Sequence, residues 1–165
     1  MHTVREYLPS DKRQISACIA ALQEFERTLE SDRYEGGRIA NQYFRHLLAE
    51  VRRKRGRILV AVSGRKIAGF ASFWYEDEPE GCISELKHCA YVSDIVILPQ
   101  YRRAGLGMKL IQEIERLAAE GNAESIMVNV LARNQLAAEF YRKAGFREYD
   151  MTFLKQLRPD SNMTE

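Results

Sequence analysis

The stretch Tyr91–Ala118, reading YVSDIVILPQYRRAGLGMKLIQEIERLA, constrains this chain more than any other. Tyr91–Leu98 is β-branched and aromatic, which predicts a buried strand, and Pro99 ends it. Arg102-Arg103-Ala104-Gly105-Leu106-Gly107 follows; beyond it Leu106, Leu110, Ile114 and Leu117 recur at spacings of four, four and three, one apolar face of a helix. The stretch is therefore a strand, a tight glycine turn and a helix that opens at the glycines. Such a helix start leaves backbone N–H groups unpaired and carries partial positive charge. Glycines let a ligand approach the backbone, and two arginines add full charge and further donors. Those are the ingredients of a phosphate or pyrophosphate site. The competing reading is a turn eased by glycines and flanked by solvated arginines. The chain has neither a G-x-x-x-x-G-K-[ST] loop nor a G-x-G-x-x-G fingerprint, so the common nucleotide folds fit worse.

R-x-x-G-x-G directly after an apolar strand resembles the acyl-CoA signature of the GNAT N-acetyltransferase superfamily. A second match lies downstream: Asn134–Phe146, NQLAAEFYRKAGF, fits the family's N-x-x-A-x-x-F-Y-x-x-x-G-F. The resemblance runs from Tyr91 to Leu157 and is only architectural before that.

At 165 residues the chain is expected to form one domain, residues 1–158, with a polar tail over 159–165. No apolar run reaches membrane-spanning length and no apolar leader opens the sequence, so a cytoplasmic protein without a membrane partner is expected. Cys18, Cys82 and Cys89 show no metal or redox spacing and read as thiols. A net charge of +2 gives no push towards nucleic acid. Arg52-Arg53-Lys54-Arg55 reads better as cations at a helix C-terminus than as a nucleic-acid patch, since no aromatic side chains interleave to stack bases.

Hydrophobic periodicity supplies the other elements. Met1–Leu8 reads as an edge strand. Pro9-Ser10-Asp11 opens a helix capped by Ser10 or Asp11, with Ile15, Ile19, Leu22, Phe25 and Leu29 as its stripe and Glu24, Glu26 and Glu30 elsewhere on it. A second helix, Ile39 to Arg55, turns Ile39, Tyr43, Leu47, Leu48 and Val51 inward. Ile58–Val62 and Lys66–Tyr75 form a hairpin about Ser63-Gly64-Arg65, the second strand alternating Ile67, Gly69, Ala71 and Phe73 against Ala68, Phe70, Ser72 and Trp74. Glu76–Gly81 is an acidic loop that reads first as solvated; if the substrate is cationic, it would rim the entry. Ser125–Leu131 is a strand, Gln135–Lys143 a helix capped by Asn134 and closed by Gly145, and Arg147–Tyr149 and Met151–Leu157 are the last strands. The expectation is an α+β domain in its GNAT version, a mixed six- to seven-stranded sheet flanked by about four helices.

The resemblance implies a chemistry: transfer of an acetyl group from acetyl-CoA to a primary amine of a small molecule or protein. The backbone of Ile95, Val96 and Ile97 would pair with the pantetheine arm. Arg102, Arg103, Ala104, Gly105, Leu106, Gly107 and Met108 would wrap the pyrophosphate, and Asn134 would reach the cofactor. Tyr141 would be the general acid at the sulfur; without the motif it would read as a packed aromatic beside Phe140. Many family members carry a glutamate on the organising strand where this chain has Ser93. Asp94 is the nearest carboxylate. It acts as base through a water if the strand bulges, and is a buried structural acid if it does not. Glu85 and His88 are outside candidates. No metal site is expected, a homodimer is left open, and a non-catalytic acyl-CoA-binding module is the alternative function.

Overall fold

The computed structural model describes residues 2–77 and 87–157. Strand β1 (His2–Glu6) leads through a short 3-10 turn, Pro9–Asp11, into helices α1 (Lys12–Arg27) and α2 (Gly36–Arg53). Strands β2 (Arg57–Ser63), β3 (Lys66–Asp77) and β4 (His88–Ile97) follow, then α3 (Leu106–Glu120), β5 (Ser125–Val128) and α4 (Gln135–Lys143). The sheet runs β1-β2-β3-β4-β5, antiparallel except for the parallel β4–β5 pair. It has five strands among the described residues, not six or seven: 147–157 pairs with no strand. The expected tail over 159–165, together with Cys82, Glu85 and Glu78–Gly81, lies outside the described residues.

Two apolar layers sandwich the sheet. Ile15, Cys18, Ile19, Phe44 and Leu47 of α1 and α2 pack on Val60, Phe70, Trp74 and Val96. Leu106, Leu110, Ile114 and Ala118 of α3 pack on Leu59, Ala71, Phe73 and Val92 from the other side. The α2 stripe is centred on Gly36, Ala40, Phe44, Leu47 and Val51, one position round from the expected one, so Ile39, Tyr43 and Leu48 sit on its flank. Two contacts set this phase. Gly36 passes so close to α1 that a Cβ there would lie 2.3 Å from the Ala20 carbonyl oxygen. Phe44 meets Tyr7 edge-on at 5.6 Å between ring centres.

Neither Ser10 nor Asp11 caps α1 through its side chain. Buried Asp11 turns back instead, accepting from the Leu8 N–H at 2.8 Å and from both terminal nitrogens of Arg5 at 2.7 and 3.0 Å, which ties β1 to the helix start. Strict alternation along β3 also fails at one place. Ala61 faces Gly69 while Val62 faces Ile67, so Ala68 is an extra, bulged residue and Ile67 falls on the same face as Phe70.

Candidate active site

A second bulge positions the site. Ser72 of β3 faces Asp94 and Phe73 faces Val92, leaving Ser93 as the extra residue on β4. A regular strand would place Tyr91, Ser93 and Ile95 on one face. The bulge resets the alternation, so Asp94 joins Tyr91 and Val96 on the face covered by α1 and α2.

There Asp94 is 8% exposed, and three side chains donate to it. Ser72 and Ser93 hydroxyls reach Oδ2 at 3.0 and 2.7 Å; the Tyr43 hydroxyl lies 3.1 Å from both oxygens. Burial raises the Asp94 pKa, and the hydrogen bonds from Ser93, Ser72 and Tyr43 pull against that rise. The crowded oxygen is Oδ2; Oδ1 shares only the one Tyr43 proton and keeps accepting capacity. The sequence pattern turns Tyr43 inward on its helix and puts Ser72 on the strand face shared with Ala68, Phe70 and Trp74, without linking either to Asp94. The available signal was polarity in apolar runs: a serine within IAGFASFW and a tyrosine beside the stripe of an amphipathic helix. Glu26 of α1 is a third member, half-buried, with its pKa raised by burial and with Arg33 lowering it and Asp94 raising it further. The Arg33 Nε lies 3.5 Å from its carboxylate.

On the opposite side of the sheet edge, β5 pairs with β4 only from Cys89 to Val92, facing Ser125 to Val128. β4 runs on to Ile97 with β3 on one side and, among the described residues, no strand on the other. That open backbone edge comprises the bulge and Asp94, Ile95, Val96 and Ile97. At its far end lies the glycine turn. Gly105 is left-handed (φ 74°), with nothing within 4 Å of where a Cβ would stand. Arg103 is also left-handed (φ 64°) and exposed. No described side chain caps the α3 N-terminus. Arg102 folds back: its Nε donates to the Ile97 carbonyl at 3.0 Å and its guanidinium lies 5.9 Å over Phe25. Arg103 is thus the arginine left facing solvent at the turn. Leu106 is buried in the core, so it serves the turn only through its backbone; Ala104 and Met108 flank it.

Gly107 has a different reason to be glycine. A Cβ there would sit 3.1 Å from the Phe140 ring, so it is where α3 and α4 touch. Asn134 caps α4, its Oδ1 accepting from the Ala137 N–H at 3.1 Å. Tyr141, on α4, is 7% exposed and packed edge-on between Phe140 and Phe146 at 5.2 and 5.4 Å. Burial raises its pKa, and the charge of Asp94 is close enough to raise it further. The structure thus brings Tyr141, Asp94, the open edge of β4 and the α3 N-terminus to one region.

His88 is elsewhere. It stacks on Tyr75 at 5.3 Å, with Nδ1 2.8 Å from Asp77 and Nε2 3.3 Å from the Gly121 carbonyl, at the start of β4 rather than its end. The acid cluster proposed to rim the entry is partly engaged: Glu76 accepts from Lys54 and Trp74, and Asp77 faces His88.

The model of the acetyltransferase (GNAT) family matches residues 19–146. The thialysine N-epsilon-acetyltransferase of Mus musculus is 26% identical over 152 residues, covering 88% of this chain and 84% of that protein. A match to GCN5-related N-acetyltransferase 7, chloroplastic, of Arabidopsis thaliana is 32% identical over 80 residues but spans only 29% of that protein. Among solved structures, a predicted acetyltransferase from Clostridium acetobutylicum, determined with acetyl-CoA, superimposes with a TM-score of 0.71 over 95% of this chain and 97% of that one, at 19% identity. With the family model spanning most of the chain, the fold and both motifs have one common explanation: this protein is a member of the acetyltransferase (GNAT) family.

Proposed function

We propose that the protein transfers an acetyl group from acetyl-CoA to a primary amine. The observation that carries this reading is the open edge of β4 beyond Val92, bounded by an uncapped helix N-terminus at one end and by Tyr141 and Asp94 beside it. The residues present suit an acyl-CoA. The α3 terminus offers unpaired N–H donors at Leu106, Gly107 and Met108, the space at Gly105 is open, and Arg103 supplies charge. Ile95, Val96 and Ile97 present backbone donors and acceptors along the edge, as a strand does to an extended ligand. When bound, acetyl-CoA supplies an activated thioester.

The chain's own residues then have distinct tasks. A backbone N–H of the β4 edge holds the negative charge that develops on the carbonyl oxygen. An alkyl amine, with a pKa of roughly 10.4, arrives protonated. Asp94 takes that proton through Oδ1 and a bridging water, because its other oxygen is occupied by Ser72 and Ser93. Its raised pKa makes it a stronger base than an ordinary aspartate. Tyr141 stays protonated at working pH and delivers its proton to the departing sulfur. Thiol release from acetyl-CoA with a panel of amines tests the reading. Turnover with at least one amine is expected. Tight acetyl-CoA binding with no turnover on any amine class would overturn it in favour of a binding module.

A further inference from the structure

Among the described residues, Tyr43 is the donor to Asp94 that does not come from the sheet. Its hydroxyl reaches the carboxylate from α2, 51 positions away in sequence. The phase of α2 puts it there. A stripe through Ile39, Tyr43 and Leu47 would bury the ring in the core; the observed phase gives that place to Phe44 and leaves Tyr43 half-buried on the flank that meets β4. Contacts along α2 hold the phase. The Gly36 N–H donates to the Glu24 carboxylate at 2.5 Å, the Ser16 hydroxyl donates to the Asn41 side-chain oxygen at 3.2 Å, and Phe44 is locked into the core. The hydroxyl is therefore carried by a fixed helix.

The three donors do different things. Ser72 and Ser93 both address Oδ2, so they secure one end of the carboxylate. Tyr43 lies 3.1 Å from each oxygen and so also holds Oδ1, which has no other hydrogen-bond partner among the described residues. A donor also favours the ionised carboxylate over the neutral acid. Other titratable groups face Asp94 without hydrogen-bonding to it. Glu26 of α1 carries a like charge, with Arg33 behind it at 3.5 Å. His46 of α2 favours the carboxylate when charged. Tyr91 of β4 and Tyr141 of α4 are phenols whose pKa burial raises.

We propose that Tyr43 is a positioning residue for the acetyl transfer: its hydroxyl holds Oδ1 of Asp94 in place to take the proton of the amine and keeps the carboxylate ionised for that step. The inference rests on the reading of Asp94 as the base. Tyr43 acts through Asp94 alone.

Tyr43→Phe keeps the ring and removes the hydroxyl. The acidic limb of kcat/KM for the amine should move up by about one pH unit, because a proton shared between two oxygens at 3.1 Å contributes at the low end of a hydrogen bond to charge. The KM for acetyl-CoA should hold. The side-chain carboxyl carbon of Asp94, followed by NMR in the ligand-free protein, should titrate higher by the same amount. A second variant, with 3-fluorotyrosine at position 43, carries a more acidic phenol and a stronger donor, so limb and titration should both move down; it decides alone if Tyr43→Phe does not fold. An Asp94 titration that neither variant moves would overturn the proposal and leave Asp94 standing as the base. A titration that moves while the kinetic limb stays would remove Asp94 as the base, and the role of Tyr43 with it.

Discussion

Burial raises the pKa of both Asp94 and Tyr141, the two residues to which the proposed mechanism gives the proton transfers. Tyr141→Phe keeps the ring between Phe140 and Phe146 and removes only the hydroxyl. General acid catalysis contributes about 10²–10⁴-fold, and a thiol of pKa near 8.5 is an easy leaving group, so kcat should fall on the order of 10²-fold or slightly less. Acetyl-CoA affinity should hold, and the defect should shrink as pH approaches the thiol pKa. Steady-state kinetics across pH checks this, and wild-type kcat in the variant would reduce Tyr141 to packing. Asp94→Asn should lower kcat by about 10²–10⁴-fold and remove the acidic limb of the pH profile. It also has a stability signature. A carboxyl whose folded pKa is raised binds its proton more tightly in the folded state, so its contribution to stability is lost as pH rises from about 3.9 through the folded value. The melting temperature of Asp94→Asn should therefore gain on wild type as pH rises through that window. A constant difference from pH to pH would show that Asp94 titrates alike in both states.

The turn and the helix pairs are the working parts one level up. Gly107 meets Phe140, so a bulky residue there displaces α4 as well as blocking an anion, and it cannot separate the two effects. Arg103 is the cleaner probe, being exposed and left-handed. Arg103→Gly removes the guanidinium and relieves backbone strain together. Acetyl-CoA Kd should rise about tenfold, the worth of a charge-assisted hydrogen bond, while the melting temperature holds or rises. Calorimetry and a thermal melt check both halves. Gly36→Ala should behave in the opposite way to the helix-propensity scale. Alanine is the better helix former by about 1 kcal/mol, yet its Cβ would lie 2.3 Å from the Ala20 carbonyl oxygen. Destabilisation by about 1–3 kcal/mol in denaturant melts is expected, because a packed helix pair must open. Because α2 also carries Tyr43 to Asp94, activity should fall with it.

At the scale of the whole molecule, the gap beside β4 is an opening in the sheet that a ligand would close. Acetyl-CoA at about a hundred times its Kd should stabilise the fold by about 2.7 kcal/mol, and for a domain of this size the melting temperature should rise by about 5–11 °C. A thermal shift with CoA and acetyl-CoA measures it. No shift with either would argue against an acyl-CoA site.

Local pattern was enough for the existence of the amphipathic α1 and α3, the β2–β3 hairpin, the glycine turn and the Asn134 cap, whose signals lie within short stretches of sequence. The motifs also name Arg102–Gly107, Asn134 and Tyr141 directly, as the candidate site residues of the resemblance. Three things needed the tertiary structure. The bulge at Ser93 decides which face Asp94 occupies, and a one-residue slip reverses every side chain beyond it, yet it depends on pairing with β3 some twenty residues away. The phase of α2 is set by Gly36 against Ala20 and Phe44 against Tyr7, contacts that helical periodicity does not contain. The alternating apolar segment Tyr149–Leu157 has the pattern of a strand, but pattern specifies only the side-chain faces; a strand exists only where another edge accepts its hydrogen bonds, and that is decided by where the chain leads after Glu148.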